Sequence, residues 1–138
     1  MNAPLYTTEI LRLAASLGEP RQLDREDGRA ELRSPTCGSR VATAVQVDHE
    51  GRVAALSQQV HACAFGQASA ALLERSALGR SREEVEQALT DLAGWLGGGG
   101  VEPGWGLAAL VPARSRRSRH GAILLPFRAL LAAIESAA

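Results

Sequence analysis

Two cysteines are the residues of this sequence best suited to metal or sulfur chemistry. Cys37 lies in residues 34–39, SPTCGS, where Pro35 and Gly38 are typical of a loop that presents a side chain. Cys63 lies where an alternating, strand-like run gives way to a helical one, and a helix start stabilises a thiolate. Each thiol taken alone fits a buried, inert cysteine equally well.

The three histidines are the other candidate ligands. His61 precedes Cys63 by two residues, so an extended segment would place both side chains on the same face. His49 lies in a predicted hairpin turn, where solvation is expected. His120 ends an arginine-rich run, residues 114–120, which could dock an acidic partner surface or form a solvated loop.

All fifteen basic residues are arginine, and fifteen acidic residues balance them, so the formal net charge is zero. This balance argues against a nucleic-acid protein that depends on phosphate attraction. No apolar run approaches the ~18 residues that a membrane span needs, and the N-terminus lacks the pattern of a signal peptide. Two cysteines without such a signal favour a reducing compartment. We therefore expect a cytoplasmic protein that forms a single domain over residues 1–138.

The elements that must position these residues follow from the hydrophobic periodicity. Helical spacing predicts four helices: residues 7–17, residues 64–79, the segment from the Ser81–Glu84 capping box to Leu96, and a last helix through Ile134. Alternation predicts strands at residues 30–32, 41–47 and 52–60, with residues 48–51 as a hairpin turn. This order predicts an α+β fold, a small three-stranded antiparallel sheet with four to five helices on one face. Few aromatic residues indicate a core of Leu, Val and Ala, and Pro126 predicts a kink or a late start in the last helix.

Taken in order, these segments resemble the IscU/SufU/NifU-N-terminal family of iron–sulfur cluster assembly scaffolds. Residues 34–38, SPTCG, are similar to the family's N-P-x-C-G-D motif. Residues 62–73, ACAFGQASAALL, are similar to its G-C-A-I-S-x-A-S-A-S block, and residues 78–84, LGRSREE, to its V-K-G-K-S-x-E-E segment. The similarity runs almost end to end and implies an IscU/SufE-like fold.

The resemblance also implies a site, because in that family three cysteines and an aspartate hold a nascent [2Fe–2S] cluster or a zinc ion. Cys37 and Cys63 match two of those cysteines, Ser39 stands where the family has its aspartate, and His120 aligns with the third cysteine. The implied ligands of a [2Fe–2S] cluster or iron are therefore Cys37, Cys63 and His120, with zinc as the alternative metal. His61, Ser39 or solvent would fill the fourth position.

As a scaffold, the protein would take sulfur from a cysteine desulfurase, serve apo-protein acceptors and catalyse no reaction of its own. Two other functions are open. One is a zinc-dependent sulfur acceptor or transferase, against which the missing third cysteine counts. The other is a diverged protein that keeps the fold for protein–protein interaction. The chaperone-docking segment L-P-P-V-K of the IscU branch is only weakly matched by residues 110–114, LVPAR.

Overall fold

The computed structural model describes residues 6–35 and 38–137. These residues form three strands, β1 (Gly28–Arg33), β2 (Arg40–Val47) and β3 (Val53–His61). They also form four α-helices, α1 (Thr8–Ala15), α2 (Ala64–Ser76), α3 (Arg82–Leu96) and α4 (His120–Ser136), and two 3₁₀ segments, Leu107–Ala113 and Arg117–Arg119. The predicted α+β class is confirmed. No helix in the described ranges has the length and apolar character needed to cross a bilayer.

The sheet is antiparallel in the order β1-β2-β3, and its register follows the alternation of the sequence. Val41 and Val45 of β2 are fully buried on the face that the helices cover. The predicted hairpin turn joins β2 to β3, and the amide of Asp48 donates to the carbonyl of Arg52 at 2.9 Å. Gly51 has a φ of +79°, a backbone conformation that glycine adopts without strain.

The helices pack on one face of the sheet, α4 against β1 and β2 and α2 against β3. Phe65 of α2 and Phe127 of α4 are the largest fully buried side chains. The ring of Tyr6 lies 5.1 Å from that of Phe65, and the ring of Trp105 lies 5.4 Å from that of Phe127. These few rings lie in a core that otherwise consists of Leu, Val, Ala and Ile side chains, in agreement with the composition.

Small residues bring the first turns of α2 and α4 close together. A Cβ atom added to Gly66 would lie 3.2 Å from the carbonyl oxygen of Ala122 and 2.7 Å from the Cβ atom of Ala62. The second distance is shorter than real Cβ contacts, so any larger residue must push the backbone aside. Gly66 thus sets the separation between the two helices at this end of the molecule.

Pro126 explains which backbone groups α2 meets on α4. α4 starts at His120 and runs through Pro126, so the start is not delayed. Proline has no N–H, and the carbonyl of Ala122, four residues earlier, therefore lacks its usual donor in the helix. The hydroxyl of Ser69 donates to the next carbonyl, that of Ile123, at 2.7 Å. A glycine of α2 thus lies against the carbonyl that the proline leaves without a helical donor, and a hydroxyl of α2 donates to the carbonyl beside it.

The carboxylate of Glu84 joins α3 to the β2–β3 hairpin. Glu84 and Ser81 form the predicted capping box, each side chain accepting from the other's backbone amide at 3.2 Å. Arg52 and Arg80 donate to the two carboxylate oxygens of Glu84 at 2.9 and 3.1 Å. Hydrogen bonds from Arg80, from the Ser81 amide and from Arg52 lower the pKa of Glu84 to about 2.

The contact at Gly66 predicts opposite effects for two glycine substitutions. Gly66→Ala should destabilise the fold by about 1 kcal/mol, since overpacking costs more than the added helix propensity returns. Gly94→Ala is the matched control, because an added Cβ there meets nothing within 4 Å. It should stabilise α3 by up to about 1 kcal/mol. Urea unfolding measures the free energy of unfolding of both variants. A Gly66→Ala protein more stable than the parent would contradict the close approach of α2 to α4 at Gly66.

The lowered pKa of Glu84 predicts a pH dependence of stability. The carboxylate's contribution is fully present above its ordinary pKa of 4.5 and is lost as pH falls through about 2. Glu84→Gln should therefore lower the free energy of unfolding at neutral pH. It should also reduce the loss of that free energy as the pH falls from 4.5 to about 2. Glu83→Gln, in the same helical turn, is the control. Urea unfolding midpoints across this pH range should decline as steeply in that control as in the parent protein.

Candidate functional site

Cys63 is the N-cap residue of α2, with an extended backbone of φ −65° and ψ 172°. Its thiol is free, half-buried and not used in a capping hydrogen bond. The residue therefore lies at the predicted helix start, one position before the first turn. The first turn of α2 contains no acidic residue, so no side-chain charge there opposes the positive end of the helix dipole. That environment favours an anionic ligand atom at this position.

Gln67 holds the backbone on both sides of Cys63. Its side-chain amide donates to the carbonyl of Ala62 at 3.1 Å, and its backbone amide donates to the carbonyl of Cys63 at 3.0 Å. The entry of the chain into α2 is thus fixed by one residue that the sequence analysis did not select. A lone amide side chain in the otherwise small and apolar first turns is the signal that could have identified it.

The other predicted thiol, Cys37, lies outside the described residues. Ser39, two residues later, is 4% exposed and sits immediately before β2. The first residue of β2, Arg40, is paired with His61, the last residue of β3. Ser39 therefore lies at the same end of the strands as His61, from which the chain continues to Cys63.

The two candidate histidine ligands line different cavities. His61 is exposed and lines a cavity of about 360 Å³ together with residues 17–20, whereas His120 lines one of about 550 Å³. The Nε2 atom of His120 lies 2.9 Å from the carbonyl of Ala113 and 3.2 Å from that of Arg114. A nitrogen facing two carbonyls donates its proton to them, which leaves Nδ1 with the lone pair that a metal needs.

The contact between Gly66 and Ala122 places Cys63 and His120 at the same end of the helical layer. Cys63 lies three residues before Gly66, and His120 lies two residues before Ala122. Within residues 6–35 and 38–137, no three His, Cys, Asp or Glu side chains converge on a point that could hold a metal ion. The predicted three-ligand set therefore depends on Cys37.

Comparison with solved structures gives extended matches. A nitrogen-fixing NifU-like protein (N-terminal) from Brucella abortus is 29% identical, with a TM-score of 0.86 over 96% of this chain and 93% of that one. A candidate iron–sulfur cluster assembly scaffold protein for the SUF system from Fervidobacterium islandicum AW-1 is 17% identical, with a TM-score of 0.81 over 94% and 96% of the two chains. No family model and no curated protein matches the sequence.

The hydrogen bonds of His120 predict how its substitutions affect the metal-free protein. His120→Ala removes the donor to the carbonyls of Ala113 and Arg114 and should cost about 1 kcal/mol. His120→Gln keeps an amide donor near the position of Nε2. It should therefore reduce the free energy of unfolding by only a few tenths of a kcal/mol, roughly less than half the loss in His120→Ala. Chemical unfolding of the metal-free proteins measures the difference. Equal losses in the two variants would mean that these carbonyls do not depend on the imidazole.

Proposed function

Because this chain belongs to the IscU/SufU/NifU-N-terminal family, we propose that it is a scaffold on which a [2Fe–2S] cluster is assembled. The observation that carries the proposal is the near full-length likeness to the NifU-like protein, in which sequence identity accompanies the shared fold. The position of Cys63 adds a chemical reason, since its half-buried thiol lies at the N-terminus of a helix. The cluster is the cargo of such a protein.

The proposed ligands are the thiolates of Cys37 and Cys63 and the imidazole of His120. Thiolate and imidazole both ligate iron in protein-bound clusters. Nδ1 is the ligating atom that we assign to His120, because its Nε2 donates to backbone carbonyls. The fourth position falls to His61, Ser39 or solvent.

Sulfur would come from a cysteine desulfurase, and apo-proteins would accept the finished cluster, in the cytoplasm. The chain would then need no catalytic residue of its own, because its role is to hold iron and sulfide until transfer. Zinc is the alternative occupant of the same ligands. A zinc-loaded protein would act as a sulfur acceptor rather than as a scaffold.

Anaerobic assembly with ferrous iron, cysteine, a cysteine desulfurase and a dithiol reductant, which supplies the electrons that ferrous iron does not, tests the proposal. The protein should develop sulfur-to-iron charge-transfer absorption, and Cys63→Ala should abolish it. His120→Gln should lose most of the bound iron while its unfolding free energy stays near that of the parent protein. His49→Gln is the matched control, because His49 is exposed in the hairpin turn and should leave iron and absorption unchanged.

Two results would overturn the scaffold function. A colourless, metal-free protein after both aerobic and anaerobic purification, which also stays colourless in the assembly reaction, would leave only an interaction role for the fold. Stoichiometric zinc, with a persulfide formed on incubation with the desulfurase and no charge-transfer absorption, would indicate a sulfur acceptor instead.

A further inference from the structure

Three arginines around the second 3₁₀ segment, Arg116, Arg117 and Arg119, form what we call the arginine surface. Arg116 and Arg117 are exposed and Arg119 is half-buried. In the part of the chain that the structure describes, no carboxylate lies within ion-pair distance of any of them. The arginines that do form ion pairs lie elsewhere: Arg25, Arg29, Arg40, Arg52, Arg80 and Arg82.

The cavity of about 550 Å³ that His120 lines adjoins this surface. Arg114 and Arg117 also line it, with Ser115 and the glycines at 97–98, and none of its lining residues is acidic. It therefore offers guanidinium groups and a hydroxyl to an anion, without a carboxylate that would compete.

Arg114 makes one wall of the cavity rigid. Its guanidinium donates to the carbonyls of Trp95 and Gly99 at 2.9 and 2.8 Å, and it lies over the Trp95 ring, 5.0 Å from the centroid. These contacts join the end of the first 3₁₀ segment to the C-terminus of α3, where a cation is favoured by the helix dipole. The neighbouring arginines thus project from a fixed base.

The start of α4 adds a second attraction for negative charge. Arg119 is its N-cap residue, makes no side-chain capping bond, and is followed by a first turn without an acidic residue. The positive end of a 17-residue helix dipole therefore lies beside the arginines, with the first amide, that of His120, donating to the carbonyl of Arg117. Val111 of the first 3₁₀ segment, three residues before Arg114, is 55% exposed and supplies an apolar contact in the same region.

We propose that the arginine surface and its cavity dock an acidic segment of a partner protein. Guanidinium groups match carboxylates with two parallel hydrogen bonds, and an aliphatic side chain of the segment would cover Val111. The zero net charge of the chain and the small extent of the surface disfavour nucleic acid, which needs a broad basic footprint. The inference deepens the proposed function, because a segment docked at the start of α4 lies beside the helix that carries Cys63.

The test is binding of a synthetic ten-residue peptide of alternating glutamate and leucine, carrying a neutral dye, to the full chain by fluorescence anisotropy at low salt. The triple variant Arg116→Gln, Arg117→Gln, Arg119→Gln should bind about ten-fold or more weakly. A matched triple, Arg12→Gln, Arg21→Gln, Arg128→Gln, removes the same charge from exposed arginines elsewhere and should change the dissociation constant less than about two-fold. The glutamine version of the peptide should not bind.

Equal weakening by the two triples would overturn the proposal, because it would mean attraction by net charge alone. Displacement of the peptide by inorganic phosphate or by a short DNA duplex, with the same arginine dependence and at lower concentration, would assign the surface to those ligands instead. Cys63→Ala should bind the peptide as the parent protein does, and the first triple should still assemble a cluster from iron and inorganic sulfide. Failure of docking is thereby distinguished from failure of the scaffold function.

Discussion

The close approach of α2 and α4 determines where the two helix starts lie, and both carry a candidate ligand. Gly66 allows the Ala122 carbonyl to come near, and Ser69 bonds to the carbonyl that follows. Cys63 and His120 are only two or three residues ahead of this contact. A wider separation of the helices would therefore move the thiol and the imidazole apart, whatever their own side-chain conformations.

The two ends of the molecule are held by different forces. At the hairpin end, Glu84 gathers two guanidinium groups and a backbone amide, so stability there depends on pH. At the end that carries Cys63, the helices meet through small residues and one neutral hydroxyl. Among the described residues, the guanidinium groups of the arginine surface form no ion pair, so a partner docked there would break none.

The hydrophobic periodicity of the sequence predicted most of the helices and strands, because these elements bury residues at regular spacing. The capping box located the start of α3 to the residue. The first 3₁₀ segment was missed because its buried residues, Leu107, Leu110 and Ala113, recur every three positions, a spacing that fits neither the helical nor the strand pattern used.

The site was less predictable than the fold. The change of period located Cys63 near a helix start, because that signal is local. The expectation that His61 shares a face with Cys63 relied on an extended backbone, which Cys63 has as the N-cap of α2, and the shared ligation stays a prediction. The predicted convergence of residues 37, 63 and 120 in space involves segments that are distant in the sequence, and hydrophobic periodicity contains no information about such contacts. It came only from the family resemblance and remains a prediction.

The proline within α4 has a consequence for how sequences of this fold can diverge. With Pro126 present, the carbonyl of Ala122 is left without its helical donor and Gly66 lies against it, while the hydroxyl of Ser69 donates to the next carbonyl, that of Ile123. Loss of the proline would restore a donor to the Ala122 carbonyl, whereas a larger residue at position 66 would press against that carbonyl. Positions 66 and 126 should therefore covary among homologues, as one inherited unit and not as two independent choices.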